Sequence, residues 1–298
     1  MNRLLDGNIL LSLGAAGMWG GGDFSGGMGV KRAGGSLGAA LRVVLLSHAT
    51  SFAVLLALAH LRGDATPHGT LLAWGIAAGV AGGGALTAFY IALARGAMGA
   101  SAAVSGLLAA AIPAAFTLWQ QGPPGISPLL GFAVAGMAIW LIAASPEEEE
   151  TTGGSTRQTM ALAMLAGVGF GFYFVALKMA SPAGVLWPMA SARIGSLSIC
   201  SLMLLGARLR SAKEDDARAR LNRAAVGWAL ATALLDTSGN LLFVAATRAG
   251  RLDVASVLAS LYPATTILLA ALALGEWPTR RQALGMATAA VAVALIAM

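Results

Sequence analysis

Charged residues are scarce in this sequence. Asp, Glu, Lys and Arg make up 11% of its 298 residues, whereas they make up about 25% of a typical soluble domain. A surface cannot be covered with ionised groups at that frequency, which excludes a soluble enzyme, a nucleic-acid-binding domain and a disordered scaffold. Hydrophobic residues make up 57% of the chain, and its mean hydropathy is +0.76. These values indicate an integral membrane protein embedded in a lipid bilayer.

Residues that bind metals or act as nucleophiles are also few. The single cysteine, Cys200, excludes a disulfide framework and a cysteine-based zinc site. The three histidines, His48, His60 and His68, are too widely spaced for an evident metal site. The chain has no Gly-x-x-x-x-Gly-Lys-Ser/Thr sequence and no evident pair of nucleophile and base, so we expect neither ATP hydrolysis nor enzymatic activity. We expect no cofactor, no metal and no nucleic acid, and a monomer whose partner is a small-molecule substrate.

Long apolar runs fill most of the chain. A spanning helix needs roughly 20 mostly apolar residues, and reading such runs between charged or Pro/Gly-rich breaks predicts ten spans. They cover residues 8–30, 37–60, 69–94, 100–121, 127–145, 159–179, 184–207, 224–246, 252–274 and 281–298. The first run is long for the apolar region of a cleaved signal peptide, so we interpret it as a retained helix. The expected fold is an all-α membrane protein with no room for a domain outside the bilayer.

The two halves of the sequence resemble each other. Ala39-Ala40-Leu41-Arg42 matches Ala190-Ser191-Ala192-Arg193 at an offset of 151 residues, and Trp19-Gly20 matches Phe170-Gly171 at the same offset. We therefore predict one repeat in residues 1–145, an acidic linker in 146–158 and a second repeat in 159–298. Five spans is an odd number, so the second repeat enters the bilayer from the opposite side. Such inverted repeats around a central cavity are typical of secondary transporters, although a duplicated membrane scaffold is the alternative.

Several motifs resemble a known family. They are the Trp-Gly of the first span, Arg42 of the second, Leu261-Tyr262-Pro263-Ala264 of the ninth and the Leu274-Gly275-Glu276-Trp277-Pro278 that follows. Together they resemble the EamA repeat of the drug/metabolite transporter superfamily, over nearly the whole chain. The resemblance implies ten helices and export of small metabolites, and amino-acid exporters of the YddG type are the group that we suggest. The first half lacks a counterpart of Gly275-Glu276, so only the second half could supply that Glu.

Ionisable residues inside spans are costly, by about 2.5–3.5 kcal/mol at a helix centre. Arg42 and Arg193 occupy equivalent positions, where each could clamp a substrate carboxylate or could bond helix-end carbonyls and snorkel to the interface. Because the pair recurs in both halves, we favour the structural role. Asp23 and Asp236 have no acidic counterparts in the other half. Either could bind an ammonium group or a proton, and the alternative is an ion pair with a buried Arg.

Aromatic and polar residues inside the spans complete the expected site. An aromatic substrate could pack against the rings, although rings inside spans commonly face lipid or neighbouring helices. The predicted substrate-binding residues are Trp19, Asp23, Phe24, Tyr90, Phe170, Tyr173, Asp236, Asn240 and Tyr262. We also predict mid-span kinks at two equivalent prolines, which could bend the helices during transport or serve packing alone. The predicted structural or gating residues are Gly20, Arg42, Pro113, Arg193 and Pro263.

These features together predict a secondary transporter of a bacterial inner membrane. It would export small neutral metabolites, above all amino acids including aromatic ones, by alternating access. The alternatives are uptake or exchange of a sugar, nucleotide-sugar or drug, an integral membrane enzyme acting on lipid, and a channel. Five Lys and Arg residues fall on the side of the termini and twelve on the other, which would place the termini outside. The family resemblance implies the reverse, and we expect cytoplasmic termini.

Overall fold

Helices account for all the regular structure that the computed structural model describes, which covers residues 7–95, 98–143, 156–210, 221–275 and 277–297. Those ranges contain eleven α-helices and one short 3-10 turn, Ser181–Ala183. The predicted linker lies outside them except for residues 156–158, which already belong to the sixth helix. The helices are α1 (Gly7–Arg32), α2 (Leu37–Arg62), α3 (Gly69–Ala94), α4 (Met98–Gln121), α5 (Ile126–Ala143), α6 (Thr156–Ala180), α7 (Leu186–Arg210), α8 (Arg223–Ala249), α9 (Leu252–Ala259), α10 (Tyr262–Leu274) and α11 (Arg280–Ala297).

Six of the helical segments in the described residues are long and apolar enough to cross a membrane. They are α2, α3, α7 and α8, the segment Arg157–Ala183 that contains α6, and the segment Leu252–Leu274 that contains α9 and α10. Helix α5 contains a shorter apolar stretch, Ile126–Leu141. Helix α1 has the length but carries nine glycines, which add little apolarity. A multi-pass membrane protein follows from these helices, and the count of ten spans stays a prediction.

The prolines of α4 and of the ninth predicted span do not behave alike. Pro113 lies inside α4, which continues through it, and the hydroxyl of Thr117 donates to the Pro113 carbonyl at 2.8 Å. The ninth span is broken into α9 and α10, and Pro263 lies in the first turn of α10. The span Leu252–Leu274 is thus interrupted in its middle beside Pro263, by a break between two helices, and a part for Pro263 in transport stays a prediction. Proline lacks a backbone N–H, which is dispensable in a first turn, so the chain can start a new helix there.

The packing of the helices pairs the two halves of the chain. Helix α1 packs on α8, and α3 packs on α6, so the first helix of each half lies against the third helix of the other. Helix α2 packs on α7, and α5 packs on α11. The core therefore forms between the halves, and no interface separates them into independent units.

Glycines of α3 and α7 allow these two helices to touch backbone to backbone. A Cβ atom added at Gly79 would lie 1.7 Å from the carbonyl oxygen of Ala192, and one added at Gly195 would lie 2.0 Å from that of Ile76. Small residues spaced at four positions permit such close approach in membrane helices. This contact fixes the separation of α3 and α7, which both line the site described below.

We expect Gly79→Ala to destabilise the protein because the added methyl group must separate α3 from α7. The cost should be about 1–3 kcal/mol or more, as for other overpacked sites. Gly84→Ala is the matched control on the same helix, since its added Cβ meets no atom within 4 Å. It should be neutral or stabilising, by up to about 1 kcal/mol. Thermal unfolding of both variants in detergent measures the difference, and equal midpoints would contradict the close contact.

Candidate functional site

A cavity lies where helices of both halves meet. Residues before the linker contribute eight lining positions and residues after it contribute nine. Seven of the nine predicted substrate-binding residues line this cavity. The lining consists of Trp19, Asp23, His48, Gly79, Gly82, Gly83, Leu86, Ala109, Phe170, Tyr173, Phe174, Ala192, Arg193, Ser196, Asp236, Asn240 and Tyr262.

Helical periodicity explains which residues of α1 reach the cavity. Trp19 and Asp23 are four residues apart and therefore share one face of the helix, and both line the cavity. Phe24 is turned by about 100° from Asp23, and its ring packs edge-on against Trp228, with the ring centroids 6.0 Å apart. Phe24 is therefore not among the lining residues, and its role in substrate binding stays a prediction.

Tyr90 also lies outside the cavity lining. It follows Leu86, a lining residue of α3, by one helical turn. Its ring packs so closely against α1 that a Cβ added at Gly26 would lie 2.2 Å from it. Tyr90 is fully buried and is not among the lining residues, so its contact with substrate stays a prediction.

An ion pair dominates the polar wall of the cavity. The Nη2 atom of Arg193 donates to Oδ2 of Asp236 at 2.5 Å. The Arg193 side chain is buried, and its Nε donates to the hydroxyl of Ser51 at 2.9 Å. The favoured prediction was that Arg193 bonds helix-end carbonyls or snorkels to the interface. The structure instead pairs Arg193 with Asp236, an acid of the next helix.

A chain of hydrogen bonds continues from the second oxygen of Asp236. Asn240 Nδ2 donates to Asp236 Oδ1 at 3.0 Å and to the Asp236 backbone carbonyl at 2.7 Å. The hydroxyl of Tyr173 donates to Asn240 Oδ1 at 2.6 Å. Because both acceptors of Asn240 Nδ2 belong to Asp236 and the Tyr173 hydroxyl is bound to Asn240 Oδ1, the network fixes the rotamers of these side chains. On the opposite side of the pair, Thr237 donates to Ser51 at 2.6 Å.

Aromatic rings form a second wall. The rings of Trp19 and Phe174 are stacked, with centroids 5.1 Å apart and planes 6° apart, and Phe243 packs behind both. Gly239 makes room for the indole, since a Cβ there would lie 2.6 Å from Trp19 Cδ1. A flat apolar group could therefore pack beside the exposed edge of this stack.

The predicted structural or gating residues occupy different places. Gly20 lies where α1 packs against α10, because a Cβ added there would lie 2.5 Å from Thr265. Arg42 is half-buried and does not line the cavity, whereas its sequence counterpart Arg193 does. Tyr262, next to Pro263, lines the cavity, and its hydroxyl is 2.7 Å from the Ser105 hydroxyl.

His48 and Phe174 line the cavity, although neither is among the predicted substrate-binding residues. The Nδ1 atom of His48 lies 2.8 Å from the Ser196 hydroxyl. Phe174 follows the predicted Tyr173 directly. Within the described ranges, no group of three or more His, Cys, Asp or Glu side chains is placed to hold a metal ion.

We expect Asp236→Asn to lower the unfolding midpoint in detergent, because it leaves the Arg193 guanidinium buried without a counter-charge. Breaking a buried ion pair by removing one partner costs about 3–5 kcal/mol. Asp64→Asn is the control, since Asp64 pairs with Arg62 at 3.6 Å on the exposed surface and such pairs contribute about 0–1 kcal/mol.

The double variant Asp236→Asn/Arg193→Gln tests the same pair from the other side. It removes both charges, so it should be more stable than the sum of the two single changes predicts. Additive losses would show that the two side chains do not interact in the folded protein.

Comparisons with known proteins agree with a membrane transporter. A crystal structure of another protein superposes on 97% of this chain and 95% of its own, with a TM-score of 0.67 and 16% sequence identity, which shows a shared fold alone. No curated protein sequence matches the chain significantly. Residues 157–298 match the EamA-like transporter family, which confirms the resemblance for the second half and leaves it a prediction for the first. That match suggests a membrane transporter of the drug/metabolite type.

Proposed function

We propose that this protein is a secondary transporter that carries small neutral metabolites, above all amino acids including aromatic ones, out of the cell across the inner membrane. The observation that carries the proposal is the central cavity, which both halves of the chain line and which joins an aromatic wall to a charged wall. Amino-acid export of the YddG type is the closest description of this activity.

The two walls match the two chemical ends of an amino acid. The Trp19–Phe174 stack offers an apolar surface for a side chain. The same cavity holds two carboxylates, Asp23 and Asp236, and one guanidinium, Arg193, which suit an ammonium group and a carboxylate. Few, well-placed polar groups in an otherwise apolar pocket are typical of small-molecule sites.

The helix pairing supports two inverted repeats of five spans. Exchanging the halves turns the contact of α1 with α8 into that of α6 with α3, and both contacts are present. The contacts of α2 with α7 and of α5 with α11 map onto themselves. Binding sites at such repeat interfaces are typical of transporters that work by alternating access.

The difference between α4 and the α9–α10 pair fits a carrier that faces one side at a time. One of the two equivalent spans is continuous and the other is broken between Ala259 and Tyr262. In alternating access, the equivalent helices of inverted halves exchange conformations as the carrier reverses. We propose that α4 breaks, and that α9 and α10 join, in the opposite state.

We expect Trp19→Ala and Phe174→Ala to reduce the flux of aromatic amino acids roughly tenfold, since each removes part of the stack and about 1.4 kcal/mol corresponds to a factor of ten. The assay is flux into or out of proteoliposomes with a panel of amino acids, sugars, nucleotide-sugars and drugs. Phe172→Ala is the matched control, because Phe172 lies on the same helix as Phe174 and is 59% exposed. Equal flux in all three variants would remove the aromatic wall from the substrate path.

The panel also tests the transport function itself. Flux of amino acids by the unaltered protein supports the proposal, and flux of sugars or drugs in their place would redirect it to another metabolite. No flux of any compound would overturn the proposal.

A further inference from the structure

Two polar groups of the cavity have no hydrogen-bond partner among the residues that the structure describes. The first is the carboxylate of Asp23, for which the described residues supply no hydrogen bond and no ion pair, although it lines the cavity. The second is Nε2 of His48, a residue that is only 3% exposed and whose Nε2 has no hydrogen-bond partner. A buried polar atom without a partner is costly and uncommon in a folded protein.

The hydrogen bonds of Ser196 indicate which nitrogen of His48 carries the proton. When the Ser196 hydroxyl keeps its bond to the carbonyl of Arg193 at 3.2 Å, its oxygen accepts the bond from His48 Nδ1 at 2.8 Å. A neutral imidazole with its proton on Nδ1 has a free lone pair on Nε2. Oδ2 of Asp236 lies 4.0 Å from Nε2, so this acid makes no hydrogen bond with that nitrogen.

An ionised Asp23 leaves the cavity with one negative charge in excess. With His48 neutral and Asp23 ionised, the charged side chains of the lining are Asp23, Asp236 and Arg193, which gives two negative charges and one positive charge. Arg193 is already bound to Asp236 at 2.5 Å, so Asp23 is the carboxylate without a counter-charge. An uncompensated charge in an apolar cavity is strongly disfavoured. A cation that donates hydrogen bonds would supply both the missing counter-charge and the missing hydrogen-bond donors.

We propose that Asp23 and His48 form a binding site for a primary ammonium group. The Asp23 carboxylate supplies the counter-charge and accepts one N–H bond, and His48 Nε2 accepts another. A primary ammonium has three donors and no acceptor, which matches this set of groups. The proposal rests on the transport function proposed above and names the group that its substrates share: a primary ammonium, as amino acids carry, on an apolar body that packs against the Trp19–Phe174 stack.

The charge balance sets an order of affinities. A phenethylamine cation neutralises the cavity, whereas zwitterionic phenylalanine binds its ammonium but leaves one negative charge. Phenethylamine should therefore bind most tightly and phenylalanine next. 2-Phenylethanol, which has the same ring without the charge, should bind at least tenfold more weakly than phenethylamine.

The test is calorimetric titration of the purified full-length protein in detergent with these three compounds. Asp23→Asn should weaken phenethylamine binding at least tenfold and leave 2-phenylethanol binding unchanged. His48→Leu, which removes the lone pair at similar volume, should weaken phenethylamine binding severalfold with the same selectivity. Asp64→Asn is the control, since Asp64 is an acid outside the cavity, and its affinities should match those of the unaltered protein.

Unfolding midpoints separate binding from structure. Asp23→Asn removes an unpaired charge and should leave the midpoint unchanged or raise it, whereas an acid needed for folding would lower it. Equal affinity of the unaltered protein for phenethylamine and 2-phenylethanol would overturn the ammonium site, because Asp23 would then be neutral. Amino-acid flux together with that result would leave the transport function standing, whereas no binding and no flux of any compound would overturn both.

Discussion

The ion pair of Arg193 and Asp236 is the interaction on which the centre of the molecule depends. It joins α7 to α8 through buried groups, and its neighbours extend it to α2 through Ser51 and to α6 through Tyr173 and Asn240. A buried charge is tolerated only with its partner and with further hydrogen bonds. The pair therefore ties four helices into one register, and the cavity takes its shape from that register.

Close helix contacts accompany this ion pair. Helix α7 is held against α3 at Gly79 and Gly195, with no side chains between the backbones, and its Arg193 pairs with Asp236 of α8. Charged groups near the middle of a membrane protein otherwise attract water and widen the gap around them. In this protein the small residues join α7 to α3, and the ion pair joins α7 to α8.

Sequence patterns identified most of the cavity but not its connections. The four-residue spacing of Trp19 and Asp23 places both on one face of α1. Helix α1 is buried on most of its surface. No amphipathic pattern in the sequence therefore shows that Phe24 points away from that face. The partner of Arg193 lies 43 residues away in the sequence. Whether the two side chains meet depends on how far α7 and α8 are shifted along their axes relative to each other. Pro263 could kink a helix or begin one, and only the packing around α10 decides between them.

The imbalance of two carboxylates against one guanidinium has a consequence for energetics across a charged membrane. In the cycle of alternating access proposed above, an empty carrier with Asp23 ionised would move one net negative charge when it reverses, whereas a carrier loaded with a monovalent cation would move none. A membrane potential would then act on the return of the empty protein, by about 2.3 kcal/mol per charge for each 100 mV that the charge crosses. The electrogenic step of the cycle would be the one in which nothing is carried.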